Sequence, residues 1–335
     1  MATRRVQVTG SETFIVSLPK SWAVRNKLAR GTELRVEEER DGGIRITLPA
    51  LQKKIEEAVI RLEAVPTPDA LQRLIIAKYL RGYGSIRITC AKGITEAYRS
   101  VALKQPSLLA GMEVVEERQN AILLEDFLAR ENLSIGRLLR RAYTITAGMH
   151  VNANEALLSG DLALAGKVAE AEEEVDRLRH LITRQLNLAL TSPSLLPALG
   201  LSGTDCLDVH IVAENVEELG DAAMEIALLA HRGKAASGPA ADFAREVTAE
   251  TYALHADAVK AFSTNNFSLA DDVLGRQAKL GKTVHERETG LLAEREIPPW
   301  LTAFVGESLK IGGYGAGIAK VVIDKDVAAE RARER

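Results

Sequence analysis

Cysteine is nearly absent: the 335-residue chain has two, Cys90 and Cys206, far apart and part of no motif. That excludes a disulfide framework and predicts reduced thiols in a cytoplasmic protein. Aromatic residues make up only 4% of the chain, and no uninterrupted apolar run approaches the ~20 residues of a membrane span. After Met1, Arg4-Arg5 is followed by alternating residues rather than the apolar stretch of a signal peptide. The residues three before the six histidines are Ala147, Arg177, Leu207, Leu228, Tyr252 and Lys282, with no glutamate among them. The Glu-x-x-His pattern of carboxylate-bridged dimetal oxidases is therefore missing. Neither a Ser/His/Asp set nor a nucleophile elbow is present, and the chain is expected not to be an enzyme.

What is present is 46% hydrophobic and 27% charged residues, a balance that suits a soluble, largely helical protein. The length predicts two or three domains. The net charge of −3 hides a polarity. Residues 1–30 hold six basic side chains, Arg4, Arg5, Lys20, Arg25, Lys27 and Arg30, against Glu12 alone. Residues 155–230 hold fourteen carboxylates against Lys167, Arg177, Arg179 and Arg184. One end suits phosphate backbones and the other suits cations.

Read in order, residues 5–9 alternate like a strand, 10–13 form a turn and 14–18 a second strand; Pro19-Lys20-Ser21-Trp22 then opens a short helix that stops at Gly31. A hairpin follows, from Glu33 to Glu38 and from Ile44 to Leu48, turned by Asp41-Gly42-Gly43. So small a unit cannot bury a core alone and should dimerise. Leu51, Ile55, Ala58, Val59 and Leu62 show helical spacing, which predicts a helix over 51–64. Beyond it the pattern predicts a helix from Pro68 to Leu80, a strand 85–89, a helix from Ile94 to Gln105 that ends before Pro106, and a strand pair at 112–116 and 121–125. Residues 51–128 read as a small α/β connector of structural role.

The organising stretch is Val216-Glu217-Glu218-Leu219-Gly220-Asp221-Ala222-Ala223-Met224-Glu225-Ile226, where Leu219, Ala222, Ala223 and Ile226 mark a packed helix side. Glu217 and Asp221 stand four apart and so share a face, as do Glu172 and Asp176 one helix earlier. An acidic run on a helix is usually a solvated face. Two such pairs on helices joined by a short loop can instead converge, and an all-oxygen set suits a hard or borderline cation such as iron, manganese, magnesium or calcium. Gly220, unfavourable inside a helix, suggests that a backbone or a ligand approaches closely there. The helical half also repeats itself. Residues 160–168 match 265–273 and His150 meets His255, both at an offset of 105, and Leu219-Gly220 and Ile226 match Ile311-Gly312 and Ile318 at an offset of 92. A tandem of three-helix units is expected, spanning 134–231 and 240–325 within a helical domain at 129–330. On this register Glu172, Asp176, Glu217 and Asp221 become Gln277, Gly281, Leu309 and Gly313, so any metal site is confined to the first unit.

The stretch 214–222 and the acidic run Glu172-Glu173-Glu174-Val175-Asp176 resemble the signature helices of the phosphate-uptake regulator PhoU family, over residues 134–325. The resemblance implies tandem three-helix bundles and a multinuclear metal cluster. The implied ligands are Glu172, Asp176, Glu217 and Asp221, with iron first and manganese, magnesium, calcium or zinc as further candidates. The strand Arg4-Arg5-Val6-Gln7-Val8, the step Phe14-Ile15-Val16-Ser17-Leu18-Pro19-Lys20 and Gly31-Thr32-Glu33-Leu34 resemble the AbrB/SpoVT DNA-binding domain, over residues 3–48. That resemblance implies a barrel of hairpins swapped between two copies in a domain at 1–50. Arg4, Arg5, Lys20, Arg25, Lys27 and Arg30 would then face the phosphates of double-stranded DNA. Glu12 departs from that pattern. The whole is expected to be mainly α with a small β amino-terminal domain, an α/β connector and tandem bundles. Its expected function is a DNA-binding regulator of phosphate uptake, acting as a homodimer or higher oligomer without membrane insertion. The alternative is an adaptor for a phosphate transporter ATPase or a sensor kinase, with the amino-terminal barrel serving only for dimerisation.

Overall fold

A computed structural model of the chain describes residues 3–10, 13–38, 42–48, 56–128, 134–192, 195–232, 236–292 and 298–333. Two units divide it, Met1–Ile55 and Glu56–Arg335.

In the first unit β1 (Gln7–Thr9) and β2 (Thr13–Ile15) form one antiparallel ladder, and β3 (Arg35–Glu38) and β4 (Ile44–Thr47) form a second. Gly10 and Gly42 supply the positive φ of the turns, at 69° and 80°. Between the ladders α1 (Lys20–Arg25) ends well before Gly31. Lys27 takes the left-handed conformation at φ 54°, and Leu28 N–H donates to Ala23 O at 2.9 Å while Lys27 N–H donates to Val24 O at 3.1 Å. This paired closure satisfies the last helical carbonyls, so the helix stops one turn earlier than the glycine suggested. Among the described residues of this unit none is buried; Phe14 is 74% and Ile44 is 68% exposed.

The second unit opens with a sheet. The expected helix at 51–64 is corrected: β5 (Glu57–Arg61) is a strand followed by a single 3-10 turn, Leu62–Ala64, while 51–55 lie outside the described residues. Ala58 and Ile60 point inward and Glu57, Val59 and Arg61 outward, a period of two that the apparent helical spacing masked. Then come α2 (Pro68–Leu80), β6 (Ser85–Thr89), α3 (Glu96–Leu108), β7 (Met112–Glu117) and β8 (Ala121–Asp126). The sheet order is β5-β6-β8-β7, with β5 parallel to β6 through the α2 crossover and the other pairs antiparallel. Helix α3 runs past Pro106 instead of ending before it, because a proline in the last turn forfeits only one bond and Leu109 N–H still reaches Gln105 O at 2.9 Å.

The helical part comprises α4 (Ile135–Ser159), α5 (Leu162–Thr191), the one-turn α6 (Leu196–Leu199), α7 (Gly203–Leu228), α8 (Gly238–Thr264), α9 (Phe267–Leu292) and α10 (Leu301–Arg333). Helices α4, α5 and α7 pack together, α8, α9 and α10 do the same, and the two triplets meet along α7–α10 and α4–α8. Repeat-equivalent residues do equivalent work: Gly160 and Asn265 both end their helices in the left-handed conformation. Asp161 Oδ1 accepts from Ala163 N–H and Leu164 N–H, and Asn266 Oδ1 accepts from Leu269 N–H. A Cβ on Gly315 would lie 3.0 Å from His255 Cα, so α10 passes α8 backbone against backbone there.

The two histidines matched by the repeat face each other between the triplets. His150 Nδ1 lies 3.1 Å from His255 Nε2, and Tyr143 Oη lies 3.0 Å from His255 Nδ1, with both imidazoles fully buried. Burial pushes the pKa of His150 down to about 4; burial, and then His150 itself, push that of His255 down to about 3. Unfolded histidines take up a proton near 6.5, so between that pH and about 4 the unfolded chain binds protons the folded one refuses. Stability therefore falls as the pH falls through this window. At pH 5 the expected loss is about 2 kcal/mol for each histidine. Thermal melts at pH 7 and 5 are expected to show a shallower pH dependence in a His150→Leu/His255→Leu double variant than in the wild type.

Helix α5 also anchors the sheet layer. The fully buried Arg184 donates to Tyr79 O, to Tyr83 O at 2.9 Å and to Asp126 Oδ2 at 2.7 Å, and its guanidinium lies 4.5 Å from the Tyr79 ring centre. Asn187 Nδ2 donates to Leu80 O at 2.9 Å. These carbonyls close the end of α2, where helical C=O groups lack partners and a cation is favoured.

Candidate functional site

All four predicted carboxylates sit half-buried on the seam between α5 and α7: Glu172 and Asp176 on α5, Glu217 and Asp221 on α7. Val175, Val216 and Leu219 are buried between them and hold the two helices in contact. The four interact as one group. Burial first, then the charges of Asp176 and Asp221, push the Glu172 carboxyl up to about 7. Glu217 is pushed up to about 8 by burial, against the attraction of Arg179 and with the charges of Asp221 and Asp176 adding to the rise. Asp221 is raised by burial and then by Asp176. Burial is the first cause throughout and the neighbouring carboxylates add to it, so these groups of the carboxylate box hold their protons to higher pH than free carboxyls do.

Its cation is Arg179, one turn beyond Asp176 on α5. The guanidinium lies 3.3 Å from Asp176 Oδ1, 3.3 Å from Glu214 Oε1 and 3.2 Å from Glu217 Oε1, so it ties carboxylates of both helices together. His180 beside it is buried, with Nε2 3.2 Å from Arg179 Nη2, and burial and the arginine charge lower its pKa. The donor chemistry of the box suits a hard cation, but the guanidinium takes up the oxygens such an ion would need. Among the described residues no group of three or more His, Cys, Asp or Glu is arranged to hold a metal.

The close approach expected at Gly220 is corrected. A Cβ there would meet Met149 and Thr146 atoms at 3.6 Å, an ordinary contact. Among the described helical glycines the tight ones lie on α10 instead, where a Cβ on Gly317 would collide with Asn215 and one on Gly312 would come within 2.5 Å of Gln277 Oε1. At the seam of the second triplet the carboxylate has become Gln277, packed against the Gly312 backbone, and the room for a charged cluster is gone.

The six predicted DNA-facing cations, Arg4, Arg5, Lys20, Arg25, Lys27 and Arg30, are all exposed. Among the described residues none of them is in an ion pair, and Arg4 donates only to Thr3 O at 3.1 Å. Glu12, the departure noted in the loop, lies outside the described residues. Sequence reasoning missed Arg179 and Arg184. Arg179 carried a usable signal, since a cation three residues after Asp176 shares its helix face. Arg184 carried none, because its partners come from a different layer.

No helix among the described residues is long and apolar enough to cross a membrane. No curated protein matches the chain. Among solved structures it resembles PhoU from Pseudomonas aeruginosa, at 18% identity over 56% of this chain and 93% of that one, with a TM-score of 0.46. It also resembles the phosphate transport system regulatory protein PhoU from Streptococcus pneumoniae, at 16% identity over 56% and 91%, with a TM-score of 0.47. Residues 139–230 match the PhoU domain model, which covers α4, α5 and α7 with the carboxylate box. Residues 7–54 match the model of the antidote-toxin recognition protein MazE, a bacterial antitoxin, over the two hairpins and α1. The chain thus matches the PhoU domain model over its first helical triplet and the MazE antitoxin model at its basic end.

Proposed function

We propose that the protein is a cytoplasmic, non-enzymatic, DNA-binding transcriptional regulator of phosphate homeostasis, dimeric through residues 1–50 and governed by its PhoU domain. The observation that carries the reading is a set of six exposed cations that form no ion pair among the described residues, on a unit none of whose described residues is buried, joined in one chain to a segment that matches the PhoU domain model. Unpaired surface cations cost nothing to redirect toward phosphates and give affinity with little sequence choice. Two copies brought together by the apolar faces of the hairpins would align two such sets. The carboxylate box is the regulatory element, and Glu172, Asp176, Glu217 and Asp221 would hold a divalent metal, iron by preference, on the first triplet only.

Fluorescence titration of the full-length protein with duplex DNA fragments at two salt concentrations tests this. Neutralising six to ten phosphates weakens binding by about 10³–10⁵-fold between roughly 50 and 200 mM salt. Changing Arg4 and Arg5 to Glu is expected to remove binding while the oligomeric state is kept. If the wild type shows no salt-dependent binding, the DNA reading fails, and an adaptor acting on a transporter or a sensor kinase takes its place.

A further inference from the structure

The sheet that opens the second, helical unit has two edges, and they differ. At one end of the order β5-β6-β8-β7, strand β7 is interrupted by a bulge between Val114 and Glu116 and carries Glu113, Glu116 and Glu117. A bulge and a row of like charges keep an edge from pairing with its own copy. Strand β5, at the other end, has neither. Its five residues, Glu57–Arg61, run in unbroken register with β6 and include no proline and no lysine. Val59, at the midpoint, is 49% exposed.

The open side of β5 follows from its bonds to β6. Ser85 N–H donates to Glu56 O at 3.3 Å, and in a parallel pair the backbone groups of alternate residues face the neighbouring strand. Ala58 and Ile60 therefore bond β6, and the N–H groups of Glu57, Val59 and Arg61 point the other way, where no described residue accepts from them. The side chains of the same three residues stand on the outer face of the sheet, since Ala58 and Ile60 are the buried ones.

That face carries a ladder of charge that stops at the edge. Arg118 Nε lies 2.6 Å from Glu116 Oε1, Arg87 Nη1 lies 3.4 Å from Glu116 Oε2, and Arg87 Nε lies 3.1 Å from Glu57 Oε1. Arg61 forms no ion pair among the described residues, and Glu63, whose carboxyl feels its charge, accepts from Ala91 N–H at 2.7 Å. Turning one β5 antiparallel against another about Val59 puts Glu57 of each copy opposite Arg61 of the other, and Val59 opposite Val59. These are also the residues whose backbone groups face outward, so all of them fall in the hydrogen-bonded pairs of an antiparallel ladder. Moving the centre to Ala58 or Ile60 loses both charge pairs. A parallel, in-register pair sets Glu57 against Glu57 and Arg61 against Arg61.

We propose that β5 is a self-pairing edge: two copies of the chain join Glu57–Arg61 antiparallel about Val59 into one continuous sheet, closed at both ends by Glu57–Arg61 ion pairs. The contact lies on the second unit and rests on neither the DNA reading nor the hairpin pairing of the first.

Hydrogen exchange of the full-length protein, read residue by residue by mass spectrometry across 56–62, tests this. In the pair the Glu57, Val59 and Arg61 amides exchange as slowly as those of Ala58 and Ile60, which β6 holds in any case. Arg61→Glu sets a carboxylate against Glu57 at both ends, and is expected to speed exchange at Val59 by about tenfold or more while the β6 amides, which report on the sheet itself, stay as they were. Glu57→Arg is expected to do the same by setting two guanidinium groups together. Co-expressing the two variants, with an affinity tag on one, makes both charge pairs again in the mixed dimer, and slow exchange at Val59 returns with it. If Val59 exchanges in the wild type at the rate of an open edge, the proposal falls. Slow exchange that survives both single changes, or that their mixture does not bring back, overturns it as well, since the cover is then something other than a second β5.

Discussion

Replacing Arg184 by methionine is expected to cost about 3–5 kcal/mol of stability, because it removes the cation of a buried ion pair and leaves the Asp126 carboxylate buried with Leu128 N–H but without the guanidinium. Arg184 and Asp126 are 1% and 3% exposed, so neither can recover its lost partner from water. The arginine also caps the carbonyls of Tyr79 and Tyr83 at the end of α2; Tyr83 O would lose this donor, while Tyr79 O keeps Gly82 N–H at 2.9 Å. Equilibrium unfolding in urea, monitored by far-ultraviolet circular dichroism, measures the loss. Adding a matched apolar substitution at Asp126 should return part of it, since two apolar groups in place of a buried pair leave no stranded charge. A single Arg184→Met change that costs less than about 1 kcal/mol would show that the contact is not formed in solution, since so small a loss is that of an exposed pair.

The same helix that makes this clamp carries the carboxylate box. Arg179 and Arg184 are five residues apart, which at the helical rise is about 8 Å along one rigid rod. A change in how α5 seats against α7 at the box is therefore a change in how it presents Arg184, Asn187 and Leu188 to the sheet layer. Gly82 makes this contact intimate. Its φ of 89° and its approach to the Leu188 side chain, where a Cβ would come within 2.5 Å, leave no slack between α5 and the loop after α2.

Some of this was written in local sequence and some was not. The paired carboxylates and the repeat offset were legible, because i, i+4 spacing acts within a turn of helix and self-similarity is a property of the chain alone. Strand β5 was not, because Ala58, Val59 and Leu62 satisfy a helical pattern as well as Ala58 and Ile60 satisfy an alternating one. Only pairing with β6, across a crossover, chooses between them. The reading of Gly220 failed for a related reason. A glycine in a helix shows that a Cβ is dispensable, and only packing shows whether one is forbidden. Arg184 meets Asp126 and Tyr79 from sequence positions far away, and nothing in a window around it distinguishes it from a surface arginine.

If the first unit dimerises through its hairpins as proposed, substituting both Phe14 and Ile44 by aspartate is expected to raise the dissociation constant of that dimer by at least about 100-fold, or about 2.7 kcal/mol. Val6, Val8, Phe14, Val36 and Ile44 are each more than 60% exposed, and no described residue of the first unit is buried, so the apolar side chains of its hairpins have no cover among the described residues of the unit. Burying one large apolar side chain is worth roughly 1.5–3 kcal/mol, and a two-fold arrangement buries each residue twice. The double substitution withdraws that gain at four places and puts four charges where they would have to be desolvated. Sedimentation velocity over a concentration series reads the oligomeric state, and thermal melting of the second unit, compact in its own right, reports whether the rest of the fold is intact. DNA affinity should fall along with the dimer, since half of the cationic surface leaves with the second copy. If the oligomer persists unchanged, its interface lies on the helical unit, and the apolar face of the hairpins has some other cover.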